Sequence, residues 1–141
     1  MAFVSETYLK TITPVNNTVD ATELSPWIEA AERQFGRELL GTDLYDDIKI
    51  KFDAQTLSAS ETALVLIIKK ALAFRTLQIS IPFLAIKIRN IGVVIQSTDY
   101  AQSALRNDIS FLIKSTEDIA EAYERDAILY IKDNIIDYHP I

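Results

Sequence analysis

The chain has no cysteine and a single histidine, His139, in its 141 residues. Without cysteine there is no disulfide framework, no thiolate metal site and no thiol nucleophile, and one imidazole is too few for most zinc or di-iron centres. Ferritin-like Glu-x-x-His pairs are excluded directly, because Ile136 stands three positions before His139. Glycine and proline are scarce too: Gly36, Gly41 and Gly92, with Pro14, Pro26, Pro82 and Pro140. Punctuation this sparse favours long helices over many short strands, and the glycines match neither G-x-G-x-x-G nor the phosphate-loop spacing. No G-x-S-x-G elbow is present. Basic charge is short, with 14 Lys plus Arg against 20 Asp plus Glu and a net charge of −6, which opposes neutralisation of nucleic-acid phosphates. Long apolar runs are also missing. The most hydrophobic zone, residues 62–86, is broken by Lys69, Lys70 and Arg75. Its longest uncharged stretch, Thr76 to Ile86, falls short of the ~18 residues a membrane span needs. The first ten residues have neither the basic nor the apolar region of a secretory signal.

What is present reads as one mainly α domain, a helical bundle of about four helices with a small β-hairpin between the third and the last. A chain of this length buries roughly 68–70% of its unfolded surface, enough for a core that needs no staple. Residues 1–24 show no helical period and read as an extended N-terminal arm, with a short strand or turn around Phe3 to Ile12. Ser25 as N-cap and Pro26 at the first helical position open a helix that runs to Leu40, with Ile28, Ala31, Phe35 and Leu39 on one face. Gly41 and Thr42 then separate it from a second helix, Asp43 to about Phe52, with pairs Asp46–Lys49 and Asp47–Lys51. Ser58-Ala-Ser-Glu61 fits a capping box and starts a third helix, apolar on most of its circumference, which should be the one the others surround. Pro82 is expected to end or kink it. Residues 85–96 alternate at a period of two, Ile86 and Ile88 against Lys87 and Arg89, and continue through Asn90-Ile-Gly92 into a β-branched run, the pattern of a β-hairpin. A last helix follows from about Tyr100 to Asn134. Its Leu105, Ile109, Leu112, Thr116, Ile119, Tyr123, Ala127 and Tyr130 or Ile131 form a stripe expected to face inward throughout. The helical domain is thus placed at residues 25–135, and 136–141 form a short apolar tail.

Few residues suggest chemistry. His139 is a tail residue with nothing to hold an imidazole in place. Asp43, Asp46 and Asp47 lack the mid-loop glycine and closing glutamate of a calcium loop, and suit a helix N-terminus instead. Glu117, Asp118, Glu121 and Glu124 read as the wet face of the last helix, or as an acidic surface for a basic partner. Trp27 reads as a packing anchor. An enzymatic reading would need a carboxylate pair such as Glu29 and Glu32 folded into a buried pocket. The residues themselves give no catalytic group, no cofactor and no metal site.

The order of the pieces carries a resemblance. An extended arm leads to Ile28-Glu29-Ala30-Ala31-Glu32, then Leu39-Leu40-Gly41-Thr42-Asp43-Leu44-Tyr45, a very apolar central helix, Asn90-Ile-Gly92-Val-Val with Ser97-Thr98-Asp99, and a long closing helix near a Tyr and a Pro. From about residue 23 to 140 this resembles the small helical head–tail connector (adaptor) proteins of tailed phages, especially those of Bacteroidetes and the crAss-like group. The resemblance implies a structural virion protein at the head–tail junction, made in the host cytoplasm. Its copies would form a ring, usually of about twelve subunits, beneath the portal protein and beside neighbouring tail or ring proteins. DNA would be transit cargo through an acidic lumen, with no membrane contact. In such connectors terminal arms or hairpins dock onto partners, so Phe3, Val4, Tyr8, Ile136, Tyr138 and Ile141 are candidate contact residues, with Lys87 and Arg89 of the hairpin as further ones. The C-terminal tail is shorter than in many connectors, so docking there is shallow or falls to another element. The rival from a different class is a freestanding helical bundle, a dimeric binding module or regulator whose last helix supplies the dimer seam.

Overall fold

A computed structural model describes residues 2–13, 21–90 and 99–134, with the backbone alone over 21–23, 83–90, 99–106 and at 108. Its elements are α1 (Glu6–Ile12), α2 (Ala21–Ala31), a single π turn (Glu32–Gly36), α3 (Arg37–Leu40), α4 (Thr42–Ala54), α5 (Ala59–Asn90) and α6 (Asp99–Asp133). Ala31, Gly36 and Arg37 all keep right-handed helical dihedrals, so α2, the π turn and α3 form one continuous rod.

The helix ends follow local chemistry. Gly41, at φ 78°, breaks the rod from α4 in a conformation that only glycine adopts readily. The capping box forms as its spacing predicts: the Glu61 N–H donates to Ser58 Oγ at 3.2 Å, and the Ser58 N–H donates to Glu61 Oε1 at 2.9 Å. At the start of the chain, Ser5 caps α1 by accepting from the Tyr8 N–H at 3.1 Å.

α5 is the central element. Leu64, Ile68, Ala71, Leu72, Ala73 and Leu77 are buried along it, and α6 forms the most extensive contact with it. α6 runs back along α5: Glu124 meets Arg75, and Tyr130 Oη reaches the Ser60 carbonyl near the start of α5 at 3.4 Å. Two hydroxyls buried on α5 are absorbed by its own turns, Thr76 onto the Leu72 carbonyl and Ser80 onto that of Leu77. Among the described residues no buried side-chain nitrogen or oxygen lacks a partner.

Four expectations are corrected. The β-hairpin placed at 85–96 is not formed: residues 85–90 continue α5, residues 91–96 lie outside the described ones, and no strand occurs among those described. Extending a helix already under way adds a hydrogen bond per residue without a new nucleus, so a four-residue alternation was too short a signal to oppose it. α5 likewise continues past Pro82, which removes the helix end that was one of the two outcomes expected there. The rod begins at Ala21, earlier than Ser25, which puts Pro26 inside the helix at the cost of its bond to residue 22. Finally, the segment read as an extended arm contains α1, and Phe3, Val4 and Leu9 belong to the core with Leu24, Ile28, Ile48 and Leu72.

Candidate functional site

Two buried ionic nodes organise the molecule. The first is Glu32, at the start of the π turn and 9% exposed. Its carboxylate accepts from the Phe3 N–H at 2.7 Å, the Tyr45 hydroxyl at 3.1 Å and Lys49 Nζ at 2.9 Å. It thereby ties the chain start to α4. Gly36 makes room for this: a Cβ there would stand 3.3 Å from the Tyr45 ring. Burial, then the Glu32 charge and the hydrogen bond to it, push the Tyr45 hydroxyl up to about 12, against a smaller opposing pull from Arg37. Phe3 fills the same node, edge-on to Tyr45 and Phe52 with the Lys49 ammonium 4.5 Å from its ring centre. Glu29, the other carboxylate considered for acid–base work, is exposed. The pair is therefore split between two environments, and Glu32 is spent on structural bonds.

The second node is Arg75, a buried, inward-facing arginine on α5. Its Nε and Nη2 donate to the two oxygens of Glu124 at 3.1 and 2.6 Å, and Nη1 donates to Gln78 at 2.8 Å. The guanidinium lies 4.3 Å from the centre of the Phe35 ring. Burial opposes its charge, but Glu124, with Glu121 and Glu117 further off, outweighs this and holds its pKa above the ordinary value. Over this pair opens a cleft of about 280 Å³ lined by Phe35, Glu38, Leu39, Arg75, Glu124 and Ile128. Glu124 was read as part of a solvated face; instead it is half-buried and partnered. A lone arginine inside an apolar helical stretch was the available signal, since a buried cation requires a paired anion.

The contact residues proposed from the sequence separate. Phe3 and Val4 are buried, at 2% and 3% exposure, so they face the molecule's own core. Tyr8 is half-buried beneath the Lys69 ammonium, 4.4 Å from its ring centre, and burial raises its pKa. Lys87 and Arg89 lie in the final turns of α5, with side chains outside the described ones, and Ile136, Tyr138 and Ile141 lie outside the described residues altogether.

The exposed apolar surface is elsewhere. On α6, Thr116, Ala120 and Ala127 face the core, while Phe111, Leu112, Ile119, Ile128 and Leu129 face outward. The expected inward stripe is thus right at Thr116 and Ala127 and, half-buried, at Tyr123, Tyr130 and Ile131, and wrong at Leu112 and Ile119. The true inward line passes through the fully buried Ala120, one position on from Ile119. No motif or periodicity in the sequence singles out Phe111, Ile128 or Leu129.

Among the described residues no cluster of His, Asp and Glu is placed to hold a metal ion, and no helix is long and apolar enough to cross a membrane. Compared with known proteins, residues 37–140 match a family model described as a family of unknown function, DUF6712. No curated protein and no solved structure matches the chain.

Proposed function

We propose a structural role for this chain, which belongs to the DUF6712 family: it is a virion protein of a tailed phage, a head–tail connector whose copies form a ring beneath the portal, with DNA passing through. The order of sequence elements supports this reading, as does the acidic balance of −6, which lets DNA slide rather than stick. The observation that carries it is the outer side of α6. Phe111, Leu112, Ile119 and Leu129 are large apolar side chains exposed along α6, and the reading takes them as a surface for protein–protein contact. With Phe3 and Val4 buried, the lateral contacts of a ring are assigned to α6 rather than to the first residues.

Native mass spectrometry over a range of concentrations, with electron micrographs of the same sample, tests the reading. A closed assembly of about twelve copies is expected, alone or on co-expression with the portal encoded beside it. A tight dimer at every concentration, unchanged by the portal, favours the dimeric binding module and overturns the connector.

A further inference from the structure

Phe111 and the cleft between α3 and α6 lie too far apart to meet within one molecule. Phe111, at 71% exposure, is the most exposed large apolar side chain among the described residues. Lys114 stands one turn further along α6, and its bond to Asp118 at 3.2 Å joins two solvent-exposed side chains, a pairing weak enough to exchange for another. The cleft offers the complementary surface. Phe35, Leu39 and Ile128 supply apolar walls, the Arg75–Glu124 pair lies among them, and the exposed Glu38 adds negative charge. Its volume of about 280 Å³ is just below the ~300–1,000 Å³ of sites that enclose drug-sized ligands and ample for one aromatic ring. Ile128 lies seventeen residues beyond Phe111 on the same helix, about 26 Å along the axis at 1.5 Å per residue. No side chain spans that distance, so the two surfaces can meet only between copies.

We propose that Phe111 of one copy inserts into the α3–α6 cleft of the next, with Lys114 of the first meeting Glu38 of the second. The proposal rests on the self-assembling reading above and names its contact. The surfaces joined are different patches of the same chain, so the contact is head-to-tail, and it propagates until rotation closes a ring or, failing closure, builds a filament.

The test uses pairs of complementary defects in the full chain. Phe111→Asp spoils the knob and keeps the cleft; Ile128→Asp spoils the cleft and keeps the knob. Each is expected to weaken self-association by about thirtyfold or more in analytical ultracentrifugation, with the circular dichroism of the parent retained. Mixed together, they should form a one-to-one heterodimer through the single intact knob and cleft. Glu38→Lys should weaken assembly, and Lys114→Glu added in the same chain should restore it. Because the parent has no cysteine, Phe111→Cys with Leu39→Cys should give a ladder of covalent oligomers on treatment with a short bismaleimide. A parent that stays monomeric both alone and with the portal, a Phe111→Asp chain that assembles like the parent, or mixed variants that fail to pair where the parent assembles would each overturn the contact. A ring untouched by Phe111→Asp removes the contact and leaves the ring reading standing; a ladder and heterodimer without closed rings in micrographs support the contact and remove the ring.

Discussion

Phe3 and Phe111 are the same residue in comparable company, each with polar and apolar neighbours in sequence, and they have opposite fates: 2% and 71% exposed. Phe3 finds Tyr45, Phe52 and Lys49 on α4, while its own backbone N–H is held by Glu32. Phe111 sits on α6 where no other described element covers it. The hydrophobic effect is non-directional and proportional to area removed from water, so it drives both rings to seek cover equally. What differs is the availability of partners from distant segments, and a ring left without them inside its own fold is free to meet a second molecule.

The sharpest way to break this comparison is to truncate both rings. Phe3→Ala should lower the unfolding free energy by about 3–5 kcal/mol in urea titrations of the monomer, whereas Phe111→Ala should stay within about 0.5 kcal/mol of the parent; equal losses would show that the burial contrast carries no energetic weight. Removing the anchor of the buried end comes next. Glu32→Ala strands the Lys49 ammonium, the Tyr45 hydroxyl and the Phe3 N–H, and should cost about 3 kcal/mol, seen as a lowered denaturation midpoint with early proteolysis at residues 1–13.

Alkaline pH probes the same node. The Tyr45 pKa in the folded chain, about 12, lies above the ordinary value of 10.0, so the fold binds this proton more tightly than the unfolded chain does. The stability it contributes is complete below pH 10 and is lost as pH rises towards 12. Absorbance titration should find one tyrosine ionising last together with unfolding, and Tyr45→Phe should flatten the loss across that window.

Smaller still, Ser58→Ala should cost about 1 kcal/mol through loss of the capping hydroxyl. Burial pushes the partner carboxylate of Glu61 up, but hydrogen bonds from Lys51 and from Ser58 outweigh it and hold it below the usual glutamate range. The stability it lends is present at neutral pH and falls as acid titrates the folded carboxylate, so Glu61→Gln should reduce the acid dependence of the thermal midpoint.

The readable parts of the chain share one property: each is decided within a few residues. Ser58 and Glu61 cap each other three positions apart, Gly41 supplies a positive φ, and the nearly all-round apolar pattern of α5 announces a surrounded helix. Other elements were misread because a local pattern had two physical meanings. The alternation Ile86-Lys87-Ile88-Arg89 suits a strand or the end of a long helix. Ser5 and the Leu9–Ile12 spacing are a true cap and face, but α1 is seven residues long, too short to be stable alone; it exists by packing on α2 and α5. Of the candidate site, the acidic character of α6 was legible, and the cleft was not, because it requires Arg75 and Glu124, forty-nine positions apart, to meet beside Phe35.

By itself, then, the sequence determined the helical class, the central place of α5, the helix boundaries that side-chain caps set, and the absence of any cysteine chemistry, since these depend on composition and on interactions over one or two turns. Tertiary structure alone decided that the chain start is core, that Glu32 and Arg75 are anchors, and that α6 turns Phe111 outward and Ala120 inward. Those outcomes depend on which distant surfaces compete for the same space in a close-packed interior.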